Sequence, residues 1–318
     1  MSAGGPRDRG ATITVVGSAN LDVVVPVTRH PRLGETVIGG DHYRATGGKG
    51  ANQAVACARL GARTRFVGCV GDDDAGRTLA RAMRDDGIDL EHLAVLSAVP
   101  SGLALIVVDE VGENTIVVSP GANARLGAQH VVAAAVGTAD AVLLQLEVPL
   151  GAVVAAAEAA RGVVVLNPAP AAALPPGLLH RTDVVVPNRG ELALLAGADA
   201  EPESVDEVVD LARTLEGPRQ IVVTLGSAGA VAIGAGYVEH VPARRVDAID
   251  ATGAGDAFCG ALTVALTEGA DLQTATRWAT IAASLAVERR GAQPSLPTRQ
   301  QLETVAGSGA AGISEDPT

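Results

Sequence analysis

Aromatic residues are scarce in this 318-residue sequence: two Phe, two Tyr and one Trp make up 2% of it. A core must then be filled by Ala, Val, Leu and Ile, and stacking platforms for nucleobases are excluded along with the rings. Cysteine is almost as rare. Cys57, Cys69 and Cys259 are scattered, odd in number and without CxxC spacing. That pattern excludes a disulfide framework or zinc site and predicts small core residues in a reducing cytoplasm. Cations are too few to build a basic face at a net charge of −12, so nucleic acid is excluded as a partner. No apolar run is fit to cross a membrane: the longest uncharged stretch, 162–180, contains Asn167 and prolines at 168, 170, 175 and 176. Residues 2–10 lack the apolar region of a signal peptide. A soluble cytoplasmic protein is expected.

Glycine is plentiful, with 38 residues, and one cluster organises the chain: Asp250-Ala251-Thr252-Gly253-Ala254-Gly255-Asp256-Ala257-Phe258. A helical pattern starts there, with Phe258, Ala261, Leu262, Ala265 and Leu266 on one face. Glycines allow a sharp turn and close approach of a ligand. A helix that begins in such a turn aims unpaired N–H groups and its positive dipole end at an anion, phosphate being the natural guest. A carboxylate beside that site repels the guest unless it has a task. Accepting a proton from an attacking hydroxyl during phosphoryl transfer is such a task for Asp256. An ordinary glycine-rich turn is the bland alternative, and the nonapeptide alone does not decide between them.

Around it runs a rhythm of short apolar strands and Ala-rich helices. Strands are expected at 11–17, 65–70, 141–146, 163–167, 183–186 and 221–225. Helices are expected at 51–60, 74–86, 128–136, 150–160, 191–195, 205–215, 256–268 and 272–288. The alternation implies an α/β fold, a parallel sheet covered by helices on both faces. Extended runs at 23–27 and 36–44 and a hairpin at 102–119 break the rhythm and predict a small separate sheet from about 21–45 and 101–120, a lid over the site. A second hairpin is read at 230–240. The catalytic domain is expected to span 11–304, with 1–10 and 305–318 as disordered tails.

Gly47-Gly48-Lys49-Gly50 is a second glycine turn opening a helix. A nucleotide P-loop is rejected, because Gly50 stands where Ser or Thr must meet magnesium. A solvated lysine in a helix-entry turn and a backbone cradle for a polar substrate both remain open. The ordered motifs GSANLD (17–22), GETV (34–37), GGKGANQAVA (47–56), GDDDAG (71–76), PGAN (120–123), QLE (145–147), NPAPA (167–171), PNRGE (187–191), TLGSAG (224–229), TGAGDAF (252–258) and GAQPS (291–295) resemble the ribokinase branch of the PfkB carbohydrate kinase family.

The resemblance implies an ATP-dependent sugar kinase with a ribokinase-like fold and the following roles. Asp256 is the catalytic base, and Gly253, Ala254 and Gly255 form the anion hole. Asn20, Asp22, Gly48, Lys49, Asn52 and Glu147, with Asp256, hold the sugar hydroxyls. Asn188 and Glu191 act around Mg²⁺ and the phosphates; on their own they also read as a helix N-cap and its capping-box partner. Thr224, Gly226, Ser227, Gly229, Gly255 and Thr280 meet the nucleotide. Asp250, Thr252, Ala286, Arg289, Gly291 and Ser295 form a monovalent-cation site for K⁺. The resemblance also implies a homodimer through the lid sheet. Asn20 stands where deoxyribose-specific relatives carry an apolar residue, which favours D-ribose. Ala251 replaces a frequent Thr, and Thr280 replaces an Asn or His expected against the adenine.

Overall fold

The computed structural model describes residues 10–310. The expected tails at 1–9 and 311–318 lie outside the described residues. In chain order the strands are β1 (Thr12–Val16), β2 (Asn20–Pro26), β3 (Tyr43–Gly47), β4 (Arg63–Gly71), β5 (Leu93–Leu96), β6 (Gly102–Val108), β7 (Asn114–Ser119), β8 (Ala141–Leu144), β9 (Val163–Leu166), β10 (Val184–Val185), β11 (Gln220–Thr224), β12 (Ala230–Gly234) and β13 (Tyr237–Val241). The helices are α1 (Lys49–Arg59), α2 (Asp74–Asp85), α3 (Ala128–Ala133), α4 (Leu150–Ala159), α5 (Pro176–His180), α6 (Arg189–Ala196), α7 (Val205–Ala212), α8 (Ala254–Thr267), α9 (Leu272–Ala286), α10 (Ala292–Ser295) and α11 (Arg299–Ala310).

Among the described residues the large sheet runs β13-β12-β11-β10-β9-β8-β1-β4-β5. It is parallel from β11 to β5, with the β12–β13 hairpin added antiparallel at one edge. Its inner strands are buried on both faces, as in TITVV of β1 and AVLL of β8, because helices cover both sides. One core packs α1, α8 and α9 against the sheet; the other packs α3 and α4 on the opposite face. As composition predicted, aliphatic residues dominate both: Ala, Val, Leu and Ile in the first, with Phe66 and Phe258 as its buried aromatic members, and Ala, Val and Leu in the second. Small side chains let α1 and α8 cross closely. A Cβ added at Gly260 would lie 2.5 Å from the Ala56 Cβ, so this contact is built for glycine. That crossing brings the start of α1 against the start of α8.

The small sheet has the order β3-β2-β6-β7, with β2 and β6 parallel and the outer pairs antiparallel. The expected extended run 36–44 is corrected: residues 33–42 form no strand, and β3 begins at Tyr43. Both edges of β2 are already occupied, by β3 and β6, which leaves residues 36–42 no free edge on that strand. At the far end the expected tail is also corrected, because α11 continues through residues 305–310.

The site is placed by topology. Strand β1 lies between β4 and β8, so successive connections leave its C-terminal end in opposite directions, and open α/β sheets bind ligands in such a crevice. Ser18 to Asn20 follow β1, Gln145 to Glu147 follow β8, Asn167 follows β9, Asn188 follows β10, and Thr224 ends β11.

Candidate active site

A cavity of about 200 Å³ opens at these strand ends and is lined by Lys49, Asn167, Asn188, Glu191, Thr224, Ala251, Gly253, Gly255, Asp256 and Cys259, among others. Gly253 caps α8 in the left-handed region (φ 81°), where a Cβ would also press on Ala292 at 3.0 Å. The Ala257 N–H makes the first helical bond, to the Gly253 carbonyl at 2.8 Å. The N–H groups of Gly255 and Asp256 precede it and have no partner within the helix. Among the described residues a Cβ at Gly255 would meet nothing within 4 Å, so its backbone borders open space in the cavity wall.

Asp256 is only 8% exposed although it is a carboxylate in a first turn. Asn52 Nδ2 donates to its Oδ2 at 2.9 Å, and Gln53 Nε2 donates to its Oδ1 at 3.0 Å. Burial pushes its pKa up, against the pull of Lys49 and the two amides. Burial alone would lower the Lys49 pKa, but the charges of Asp256, Glu147 and Glu191 outweigh it and leave the ammonium more firmly protonated. The solvated-lysine alternative therefore fails, since Lys49 stands in the cavity wall among carboxylates.

The expected sugar ligands converge where β1, β8 and α1 meet. Ser18 Oγ donates to Glu147 Oε2 at 2.6 Å, and the Lys49 backbone N–H donates to the same oxygen at 3.0 Å. Gly48 has φ 87°, and a Cβ there would strike the Asn20 nitrogen at 2.7 Å. Asn20 is 3% exposed, and its Oδ1 accepts from Asn123 Nδ2 at 2.7 Å. Asp22 is half-buried, and burial together with the Glu147 charge raises its pKa to about 7.

Asn188 and Glu191 form a reciprocal capping box on α6: Glu191 N–H donates to Asn188 Oδ1 at 2.8 Å, and Asn188 N–H to Glu191 Oε2 at 2.9 Å. Both still line the cavity. Among the described residues no group of three or more His, Cys, Asp or Glu could hold a metal by itself. A lone carboxylate with an amide oxygen suits Mg²⁺, which keeps waters and leans on substrate phosphates.

Asp250 joins the turn before α8 to the segment before α10, with Oδ1 accepting from the Thr252 N–H at 2.9 Å and Oδ2 from the Gly291 N–H at 2.8 Å. Burial would raise its pKa, but those bonds and the Arg290 charge overcome it and keep it ionised. Ser295 is buried beside this segment, its hydroxyl donating to the Ala292 carbonyl. An ionised carboxylate, a hard oxygen donor, is of the type that suits a hard monovalent cation, although both of its oxygens here accept from backbone N–H groups.

Other expected residues fall outside the cavity wall. Thr280 is buried in α9 and donates its hydroxyl to the Thr276 carbonyl at 2.8 Å, so that group is used inside the helix. Gly226 and Ser227 form an exposed turn after β11. Gly229 (φ 97°) is required by packing: a Cβ there would sit 2.0 Å from the Val241 carbonyl. Ala286 ends α9 and Arg289 follows it, close to Asp250, whose N–H donates to the Val287 carbonyl. Ser18, Gln53, Asn123 and Gln145 were missed as site residues, although each stands inside a motif quoted above.

A family model described as pfkB family carbohydrate kinase matches residues 11–299. Ribokinase of Haemophilus influenzae is 40% identical over 296 residues, covering 91% of this chain and 96% of that protein. Ribokinase of Thermotoga maritima superposes with a TM-score of 0.86 at 34% identity, covering 93% of this chain and 99% of that one. Arabidopsis thaliana ribokinase complexed with ribose and ATP gives a TM-score of 0.85 at 32% identity, covering 93% and 98%. The motif resemblance and the expected α/β fold with a small second sheet are thereby shown. This chain belongs to the pfkB family of carbohydrate kinases and is a phosphotransferase.

Proposed function

We propose that the chain transfers the γ-phosphoryl group of ATP to the 5-hydroxyl of D-ribose, giving ribose 5-phosphate and ADP. The carrying observation is the buried Asp256 carboxylate, set in the first turn of α8 on the wall of a cavity shared with Lys49 and the helix-start glycines. Asp256 accepts the hydroxyl proton as the oxygen attacks phosphorus. Backbone amides at 253–255 meet the charge that develops on the transferring group. Asn20, Asp22, Gly48, Lys49, Asn52 and Glu147 hold the remaining hydroxyls, and polar sites of this kind reject analogues that lack one. Thr224, Gly226, Ser227 and Gly229 form the strand-end loop that receives the nucleotide. The Thr280 hydroxyl donates within α9, which leaves its oxygen as an acceptor and its methyl for contact with the nucleotide.

Asn188 and Glu191 would hold Mg²⁺ through water and phosphate oxygens, where it neutralises phosphate charge. Asp250, Thr252, Ala286, Arg289, Gly291 and Ser295 would hold K⁺, which adds a fixed positive charge behind the amide loop. The small sheet closes over the sugar to exclude water. Leu105, Ile116, Val117 and Val118 are large apolar residues exposed on β6 and β7, which supports a homodimer through that sheet. Three buried free cysteines support a cytoplasmic setting.

The test is ADP release by the purified chain with MgATP and, in parallel, D-ribose, 2-deoxyribose, fructose or adenosine, each in K⁺ and in Na⁺ buffer. Turnover fastest on ribose and raised by K⁺ is expected. Faster turnover on another acceptor moves the specificity, and ribose binding without any turnover replaces the kinase by a sugar sensor.

The raised Asp22 pKa gives a pH dependence. Its carboxyl is ionised above pH 7 and protonated below, and hydroxyl donors bind the ionised form more strongly. The KM for ribose should therefore rise as pH falls below 7, by up to roughly tenfold per unit. Stability of the free chain runs the other way, since a raised carboxyl pKa makes ionisation through that window destabilising. Asp22→Asn should flatten the KM profile between pH 6 and 8; an unchanged slope would remove Asp22 from the sugar site.

A further inference from the structure

Two amide side chains, Asn52 and Gln53, donate to Asp256, and only Asn52 has been given a part in the reaction. Gln53 is fully buried on α1. Its Nε2 donates to Asp256 Oδ1 at 3.0 Å and to Asn167 Oδ1 at 3.1 Å. Its Oε1 accepts from Gln145 Nε2 at 2.6 Å. The orientations enforce one another. A carboxylate only accepts, so Gln53 must turn its NH₂ group to Asp256 and its oxygen to Gln145. Asn167 donates Nδ2 to the Val186 carbonyl at 3.0 Å, which turns its own oxygen to Gln53. Gln145 then has its NH₂ committed, and among the described residues its buried Oε1 has no hydrogen-bond partner; it lies against a Gly17 whose added Cβ would sit 2.1 Å away. An orphaned buried acceptor is costly, and a role confined to packing would be filled by Leu or Met without that cost.

We propose that Gln53 is a positioning residue for phosphoryl transfer: locked by Gln145 and Asn167, it holds Asp256 Oδ1 in one orientation and stabilises the ionised form that accepts the proton. This rests on the reading of Asp256 as the base. The relay joins the ends of β8 and β9 to the start of α8, so the carboxylate is fixed from the sheet side while the cavity side stays open to substrate. With both oxygens already holding an amide hydrogen, protonation of Asp256 must break or weaken one of these bonds. Other charged or titratable groups face Asp256: Lys49 from α1, Glu147 after β8 and Cys259 one turn along α8, with Glu191 of α6 acting on Lys49 and Cys259. None of them is altered by substituting Gln53 or Gln145.

The test measures the single-turnover rate of phosphoryl transfer at saturating ribose and MgATP from pH 5 to 9, which isolates the chemical step from product release. Gln53→Met, Gln53→Glu and Gln145→Met are compared with the unsubstituted chain, with thermal unfolding confirming that each is folded. Gln53→Met should lose roughly tenfold to hundredfold in rate, as expected for one hydrogen bond to a charged group, with the ribose KM changed less than about threefold. Its acid limb should move up by about one pH unit. Gln53→Glu should move the limb further, by setting a second carboxylate against the first. Gln145→Met, which frees Gln53 to turn, should shift the limb in the same direction by less, and it carries the test if the Gln53 variants do not fold. Folded variants with an unmoved acid limb would overturn the relay. Asp256→Asn, assayed alongside, separates the two ideas: if it retains turnover the base assignment fails, whereas an inactive Asp256→Asn with unmoved limbs rejects the relay alone.

Discussion

Asp256→Asn is expected to lower the rate of phosphoryl transfer by about 10²- to 10⁴-fold while ribose still binds within a few-fold of its normal affinity. The substitution keeps the volume of the side chain and one acceptor for Asn52 or Gln53. It removes the capacity to take up a proton, which is the step assigned to this residue. Sugar affinity is spread over Asn20, Asp22, Gly48, Lys49, Asn52 and Glu147, so one ligand of many is weakened and not the set. The large effect thus belongs to the rate and the small one to binding, a split read by single-turnover kinetics against calorimetric titration with ribose. A fall of less than about tenfold would show that the proton leaves by another route.

Gly255→Ala should act in opposite directions on stability and activity. Position 255 is the second residue of α8, and an added Cβ meets no atom of the described residues within 4 Å. Alanine in place of a helical glycine should stabilise the chain by about 0.5–1 kcal/mol. The methyl would project toward the cavity, where the transferring phosphoryl group must reach the backbone amides. Loss of such a contact costs roughly 10²- to 10³-fold in rate. A variant that melts higher and turns over that much more slowly is the expected result, measured by thermal unfolding and steady-state assay. Unchanged turnover would remove the amides of this turn from the anion hole.

These expectations rest on residues that were legible in the sequence to different degrees. The glycine turns were readable because backbone chemistry has a local signature: TGAGD and GGKG announce positive φ and close approach before any fold is known. Strands such as TITVV and AVLL were readable because burial on both faces leaves a run free of charged residues, β-branched in the first and wholly apolar in the second. Where local pattern and tertiary pairing disagree, the reading failed. Residues 36–38, TVI, look extended, yet β2 has no edge left for them. The half-exposed edge strand β5, LAVL, has no alternation to detect, and α5, PGLLH, lies inside a proline-rich stretch that reads as loop. Glycines at 307 and 309 concealed the last turns of α11, whose Leu302 is anchored in the core.

The amides were missed for a different reason. Gln53 and Asp256 are separated by 203 residues and Gln145 and Gln53 by 92, so no spacing rule links them. As types, Gln and Asn are ordinary surface residues, and only their complete burial marks them. Their places within GGKGANQAVA, PGAN and QLE were the available signal. Thr280 shows the converse. A resemblance assigned it to the nucleotide, whereas no local pattern announced that its hydroxyl donates to the Thr276 carbonyl within α9.

The most direct test of the central claim is ³¹P NMR of the purified chain with MgATP and D-ribose. The account predicts loss of the γ-phosphate signal with stoichiometric appearance of a phosphomonoester coupled to the two C5 protons of ribose. Release of inorganic phosphate, or a phosphate carried on another ribose hydroxyl, would contradict it.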